Sequence, residues 1–279
     1  MFWTQAQEVS QRALETNALV PIASSCFHFE SDGVTCFGHT LSDNIRKKPV
    51  VHADDHTLAT KMSTPIRNPF LPYEPDMYVA DAGDDHVCIL NKYPVITPHL
   101  LICTRQYEAQ NQLLNLSDFS AWLMAYSELP DELPDGNGGA DDVLGFFNGG
   151  VMAGASQPHR HMQVVRTQIP FERIIASGSL PFSHRLFTFN KLNATTLYAQ
   201  YLEMMSSLNL TPDADGGTCK PYNLLLTQRW MLMVPRSVNH VNGTYANGIN
   251  FSGRFVVRNE TQIDWLKQQG VFNFLGQCT

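Results

Sequence analysis

The run Asn148-Gly149-Gly150-Val151-Met152-Ala153-Gly154-Ala155-Ser156-Gln157-Pro158-His159-Arg160-His161-Met162-Gln163 gathers the residues of this chain best able to do chemistry. Pro158 opposes a helix through the histidines, and the tail that ends in Val164-Val165 predicts a strand. On a strand, side chains at i, i+2 and i+4 share one face. His159, His161 and Gln163 are therefore expected to project together, with Arg160 and Met162 on the other side. A glycine-rich turn ahead of the strand leaves backbone N–H groups free to face an anion, here from Gly154, Ala155, Ser156 and Gln157. The expected arrangement is an imidazole beside a phosphate cradle.

Two chemistries fit such an arrangement. One is metal ligation, because His-x-His on a strand is a common zinc pattern. Its weakness is the third position: Gln163 is a poor ligand, and no cysteine or carboxylate follows at ligand spacing. The other is nucleophilic catalysis, in which a neutral imidazole attacks phosphorus and forms a covalent phosphoramidate. The residues of the turn and Gln163 supply donors of the kind that reaction needs for the non-bridging oxygens. A metal-dependent hydrolase using His159 and His161 and a catalytically idle nucleotide-binding module stand as the alternatives.

The His-Arg-His-Met-Gln strand after a Gly-Ala-Ser-Gln turn resembles the histidine-triad superfamily, in its transferase form with Gln in place of the third His. Asn68-Pro69-Phe70-Leu71-Pro72-Tyr73-Glu74-Pro75, Leu90-Asn91-Lys92-Tyr93-Pro94-Val95, Pro221-Tyr222-Asn223-Leu224-Leu225-Leu226-Thr227 and Val234-Pro235-Arg236-Ser237 look like the diadenosine tetraphosphate phosphorylases, also called ATP adenylyltransferases. The similarity runs from about Lys61 to the C-terminus. His-x-His-x-Gln alone does not separate this family from the nucleotidyl-sugar transferases, which are the alternative within the enzyme reading.

The resemblance implies roles for particular residues. His161 matches the histidine that carries AMP. His159 is expected not to react but to orient His161, its carbonyl accepting from Nδ1. Arg160 stands where a lysine is expected, on the face turned away from the site. Lys61 and Lys92 fall in segments similar to substrate-binding ones; Asn91 and Lys92 look like nucleotide contacts and Asn148 like a ribose or phosphate contact. Asn223, Thr227 and Arg236 match more loosely. The implied reaction is reversible phosphorolysis of diadenosine tetraphosphate to ADP and ATP through an AMP-histidine intermediate, with ATP, ADP, AMP and inorganic phosphate as the small-molecule partners. The leaving polyphosphate is a weak base, which suits a Gln that donates a hydrogen bond but no proton. The covalent step is expected to need no cofactor, with Mg²⁺ at most accompanying the polyphosphate.

Composition bounds the reading. The 279 residues are 43% hydrophobic and 16% charged, as in ordinary globular proteins. The net charge of -7 argues against a non-specific nucleic-acid binder, so an anionic substrate has to be met by local positive charge. The candidates are Lys61, Arg67, Lys92, Arg105 and Arg236. The six cysteines show no framework spacing, and Cys88 and Cys103 are expected to be buried thiols. Cys26, His28, Cys36 and His39 cluster in sequence but match no zinc module. No signal peptide and no membrane-length apolar stretch stands out, and the chain reads as a reduced, cytoplasmic protein without a membrane or nucleic-acid partner.

The elements that must position the site follow an α+β order: a histidine-triad-like antiparallel sheet packed with helices, with extra N- and C-terminal elements. Three regions are expected: an N-terminal helix and hairpin over 1–60, a catalytic core over 61–166, and a C-terminal extension over 167–279 packed on it. A leading helix covers 2–19, and Ser31-Asp32-Gly33 marks a hairpin between Phe27 and Phe37. Residues 66–76 carry prolines and should run extended across the core. Strands are predicted at 86–90, 99–103 and 143–147. Ser117 should cap a helix whose face is Phe119, Trp122, Leu123 and Tyr126, and 131–142 reads as a loop. Further on come a helix over 192–208, a loop at 211–218, a hairpin of 222–227 with 230–234 turning at Gln228-Arg229, and a helix capped by Thr261 that stops at Gly270.

Overall fold

The computed structural model describes residues 2–41, 68–127, 142–212 and 217–279. Lys61 and Arg67, the 131–141 part of the acidic loop and residues 213–216 of the loop at 211–218 lie outside the described residues. The helices are α1 (Phe2–Glu15), α2 (Leu116–Leu123), α3 (Glu172–Ala176), α4 (Ala194–Ser207), α5 (Glu260–Gln269) and α6 (Val271–Gln277). The strands are β1 (Ser24–Ser31), β2 (Val34–Leu41), β3 (Tyr78–Asp81), β4 (His86–Leu90), β5 (His99–Thr104), β6 (Val143–Gly149), β7 (His161–Arg166), β8 (Arg185–Thr188), β9 (Tyr222–Leu226), β10 (Trp230–Pro235), β11 (His240–Val241), β12 (Thr244–Tyr245) and β13 (Arg254–Val257).

Eight strands form one antiparallel sheet in the order β3-β4-β5-β7-β6-β9-β10-β8, so the sheet continues across residue 166. One face lies under α1, α2 and α4, where Met162, Val164, Phe147, Leu224 and Met233 pack with Trp3, Phe119, Trp122 and Tyr201. The other face is covered in two parts. Over β6, β9 and β10, residues such as Phe146, Leu225 and Leu232 meet β13, α5 and α6. Over β4 and β5, Val87, Ile89, Leu101 and Cys103 are covered by Phe70, Tyr73 and Tyr78. His161 and Gln163, paired with Cys103 and Leu101, belong to this second face at the seam between its two coverings. A small sheet, β1-β2-β13, completes the fold.

Several predicted elements take a different local form. The helix that Ser117 was expected to cap is capped instead by Asn115, whose backbone is extended and whose side-chain Oδ1 accepts from the Asp118 N–H while the Asp118 carboxylate accepts from the Asn115 N–H. That reciprocal box satisfies two orphan donors, which Ser117, already inside the first turn, cannot do. In the same way Asn259, not Thr261, caps α5, and Gly270 at φ 83° ends it as expected. Of the 66–76 segment, the described residues 68–76 cross the core as a series of turns rather than extended, started by the Phe70 N–H on Asn68 Oδ1. The β1–β2 hairpin turns through Asp32 (φ 51°) and Gly33 (φ 74°), the left-handed pair that a two-residue hairpin requires. All six cysteines are free thiols, and five are buried. Among the described residues, no helix is long and apolar enough to cross a membrane.

Candidate active site

His161 opens β7 and is 4% exposed. Its Nδ1 lies 2.8 Å from the carbonyl of His159. A carbonyl only accepts, so the proton is on Nδ1 and the lone pair is on Nε2. Nε2 has no hydrogen-bond partner among the described residues. Burial lowers the His161 pKa to about 4 against the favourable contact with the His159 carbonyl, so the ring is neutral at physiological pH. A neutral imidazole with one fixed proton and one open lone pair is a nucleophile.

His159 precedes β7 and is fully buried. Its Nε2 donates to the carbonyl of Thr104 at 2.9 Å, and its Nδ1 faces Asn68 Nδ2 at 3.0 Å. Asn68 is held in that orientation because its Oδ1 already accepts from the Phe70 N–H. The ring of Phe70 then touches both imidazoles, with centroids 5.5 Å from His159 and 5.2 Å from His161. Both His159 nitrogens are engaged, so this ring orients its neighbour and has no lone pair to offer a metal.

Gln163 shares the strand face of His161, and its amide has a direction. The Tyr93 N–H donates to Asn91 Oδ1 at 3.1 Å, which turns Asn91 Nδ2 toward His99 Nδ1 at 3.2 Å. His99 Nδ1 therefore accepts, and His99 Nε2–H donates to Gln163 Oε1 at 3.1 Å. The chain leaves the Gln163 NH₂ group as a donor for a ligand. His99 stands 64 positions from Gln163, and strand periodicity alone marks it only as a strand residue.

The turn between β6 and β7 is held by Gly150 (φ 98°) and Gly154 (φ 89°) around a short 3₁₀ turn. The Gly154 and Ala155 N–H groups bond within the turn, to the carbonyls of Val151 and Gly150. Those of Ser156 and Gln157 have no such partner and remain for an anion. A Cβ on Gly154 would lie 2.5 Å from Asn247 Cβ, so the turn rests directly on the segment after β12. Asn148 Oδ1 accepts from Asn223 Nδ2 and from the Gly248 N–H, each at 2.9 Å, which leaves its own NH₂ for the cavity.

Of these residues, Asn91, His99, Asn148, Gly154, Ala155, Ser156 and Gln163 line a cavity of about 590 Å³; His161 lies beneath its wall, two positions before Gln163 on the same strand. Ile22, Val95 and Ile96 give it apolar wall, and Arg254, Arg258, Asn239 and Asn247 close it from the C-terminal part of the chain. Among the described residues, no carboxylate is in its lining. Arg254 lies over the Phe37 ring and donates to His39 Nε2 at 3.1 Å. Burial, and then the Arg254 charge, lower His39 to about 4, and burial lowers Arg254 to about 10, so a cation sits beside a neutral imidazole.

Other predicted residues lie elsewhere. Lys92 pairs with Glu74 at 2.6 Å on the surface, and Arg105 pairs with Asp81. Asn223 is buried beneath Asn148, where it supports that residue and is itself held by Arg236. Arg236 donates to the carbonyls of Cys278, Val238 and Ala246, so its guanidinium ties loops together instead of facing the cavity. Thr227 caps the turn at the far end of β9, accepting from Arg229 and Trp230. Arg160 faces away from the site as expected, paired with Asp118 at 2.9 Å and with Glu108. Cys26 and His39 face each other across β1–β2, but Cys36 pairs with Phe29 on the opposite face, which breaks up the Cys26, His28, Cys36, His39 group.

Residues 1–184 match the Ap4A phosphorylase N-terminal domain family, and residues 178–279 match the ATP adenylyltransferase C-terminal domain family. Diadenosine 5',5'''-P1,P4-tetraphosphate phosphorylase 2 of Saccharomyces cerevisiae is 27% identical over 236 residues, which covers 71% of this chain and 68% of that protein. Protein APA1 of the same yeast is 27% identical over 179 residues, 53% of each chain. The crystal structure of yeast Ap4A phosphorylase Apa2 in complex with Ap4A has the same fold, with a TM-score of 0.78 at 21% identity over 99% of this chain and 96% of that one. The two matched domains span the sequence from end to end, and the chain belongs to the Ap4A phosphorylase family.

Proposed function

We propose that this protein is a nucleotidyltransferase that cleaves diadenosine tetraphosphate with inorganic phosphate, giving ADP and ATP. The observation that carries this reading is the buried, neutral His161 with Nδ1 bound to the His159 carbonyl and Nε2 open. The lone pair on Nε2 attacks the α-phosphorus of one adenylyl unit. The bond to the bridging oxygen breaks, ATP leaves with the electron pair, and AMP remains on Nε2. Phosphate then attacks the same phosphorus, the P–N bond breaks, and ADP departs. The Nδ1 proton stays with the His159 carbonyl throughout.

The Ser156 and Gln157 N–H groups and the amides of Gln163 and Asn148 are placed to receive the non-bridging oxygens, where charge builds in both displacements. The leaving ATP is a weak base, so no proton donor is needed beside it. The two displacements use no metal ligand from the protein; a divalent cation such as Mg²⁺ would ride on the polyphosphate itself. Similarity to proteins named for this activity and to a structure that contains Ap4A supports the substrate class. Six free thiols are what a reducing compartment maintains, which supports a cytoplasmic location.

Purified protein incubated with diadenosine tetraphosphate, with and without phosphate, tests the reading by product chromatography. Turnover is expected only with phosphate and should give ADP and ATP. Equal turnover without phosphate, with AMP released, would establish a hydrolase and remove the assignment.

A further inference from the structure

The two halves of the large sheet part at the nucleophile. β6 pairs with β7 from Val143↔Arg166 to Phe146↔Gln163 and no further. Each strand nevertheless continues along its other neighbour. β6 runs on against β9 through Asn148↔Asn223 and Gly149↔Tyr222, and β7 runs on against β5 as far as Cys103↔His161. An unbroken register would set Asn148 opposite His161. Instead a fork opens there, and the side chain of Gln110 fills it.

Gln110 is 3% exposed and comes from the loop between β5 and α2. Its Oε1 accepts from the His161 N–H at 2.8 Å, and its Nε2 donates to the His161 carbonyl at 3.2 Å and the Asn148 carbonyl at 3.0 Å. One amide therefore takes the place of a strand's peptide group in the ladder. The assignment of its oxygen and nitrogen is forced, because an N–H needs an acceptor and two carbonyls need donors. The Gln110 backbone is fixed as well: its N–H bonds to the Pro158 carbonyl at 2.8 Å, beside the bridge between Ala109 and His159. Both faces of the peptide chain that bears His161 are thus held, by β5 on one side and by this amide on the other.

We infer that Gln110 is a positioning residue for the adenylyl-transfer reaction, holding the His161 main chain at the fork so that Nε2 stays aimed at phosphorus. The inference rests on the reading of His161 as the nucleophile. The same amide keeps β6 from zipping onto β7. That separation leaves the β7-facing side of Asn148, and with it the glycine turn, at the cavity wall instead of in the β6–β7 ladder. A nucleophile displaced by a fraction of the reacting distance loses rate without losing ligand, so the role shows as a split between chemistry and binding.

Gln110→Met keeps the length and removes the amide; Gln110→Glu keeps the shape and puts carboxylate oxygens against two carbonyls. Three quantities are measured for each: the single-turnover rate of AMP attachment to His161 from diadenosine tetraphosphate, the affinity for AMP, and the thermal midpoint. Attachment is expected to slow on the order of a hundredfold in both variants, with AMP affinity unchanged. Gln110→Glu should regain rate between about pH 7 and pH 5, because a protonated carboxyl again offers one acceptor and one donor. Wild type should stay level over that range.

If Gln110→Glu does not fold, Gln110→Met alone decides. Wild-type rate in Gln110→Met overturns the inference, and so does a fall in AMP affinity and thermal midpoint that matches the fall in rate. Absence of any adduct on the wild-type protein defeats the nucleophile reading and the role of Gln110 with it.

Discussion

Replacing Gln163 tests the direction of the hydrogen-bond chain that ends at it. That chain, Tyr93 N–H to Asn91 to His99 to Gln163 Oε1, leaves the Gln163 NH₂ as a donor toward the phosphoryl oxygens. Gln163→Ala removes the donor from charge that grows in the transition state. Loss of one such donor costs about 3 kcal/mol, roughly a hundredfold in rate. Gln163→Glu still accepts from His99 but turns a carboxylate toward the phosphate. Two like charges about 4 Å apart at an effective dielectric near 20 repel by about 4 kcal/mol. The Glu variant is therefore expected to be at least about tenfold slower than the Ala variant, within a limit of roughly five decades below wild type. Gln163→His should keep adenylylation while raising the ratio of AMP to ADP, because an imidazole can exchange a proton with an attacking water. Single-turnover attachment of AMP and the product ratio at fixed phosphate measure all three. A Glu variant as fast as wild type, or an Ala variant at wild-type rate, would refute the assignment of donor and acceptor along the chain.

Two further outcomes follow from buried groups. His161 and His39 are both lowered to about 4 by burial, so adenylylation should hold its rate well below the ordinary histidine pKa and fall only near pH 4, as a rapid-quench pH profile would show. Stability has a matching sign: above about pH 6.5 both rings are neutral folded or unfolded, while between about 6.5 and 4 only the unfolded chain takes up protons, so the thermal midpoint should drop across that window. A rate that halves near pH 6.5 would contradict the buried neutral imidazole. Arg160→Met strands the fully buried Asp118, which pairs with both Arg160 and His86, and should cost about 3–5 kcal/mol in urea unfolding. A loss below about 1 kcal/mol would mean that the pair contributes no more than a surface ion pair.

What the sequence made legible was local. Pro158, the alternation from His159 to Gln163 and the glycines at 150 and 154 are short-range signals; the turn formed as predicted, but the strand starts at His161, and His159 sits just ahead of it in an isolated bridge with Ala109. The β1–β2 hairpin was readable because Asp32-Gly33 is the pair that its turn conformation demands. The helix caps were harder. Asn115 and Ser117, or Asn259 and Thr261, are competent capping residues two positions apart, and the choice depends on which one has an acceptor or donor partner three residues on. The site's supports were not readable, because they are distant in sequence and chemically ordinary. His99 and Gln110 carry no periodic signal, and Arg254 reaches the cavity through a strand that pairs in parallel with β2. For Lys92 and Arg236 the charge suggested phosphate; in this structure the first pairs with Glu74 and the second donates to backbone carbonyls, partners that charge alone does not reveal.

The arrangement also bears on why the proposed AMP-histidine intermediate would pass AMP to phosphate and not to water. A phosphate ion arrives already charged and needs no base, whereas a water molecule must lose a proton as it attacks. The imidazole nearest to Gln163 is His99, and its Nδ1 accepts from Asn91 while its Nε2–H donates to Gln163. His159 is engaged at both nitrogens, and in the proposed reaction His161 carries AMP at that stage. Among the described residues no carboxylate lines the cavity, and Gln163 can neither take nor give a proton. Neutral donors and the two arginines at 254 and 258 instead favour an anionic acceptor over water. Discrimination against hydrolysis thus comes from withholding a base as much as from binding phosphate. For the same reason, a histidine placed at position 163 is the substitution most able to erode it.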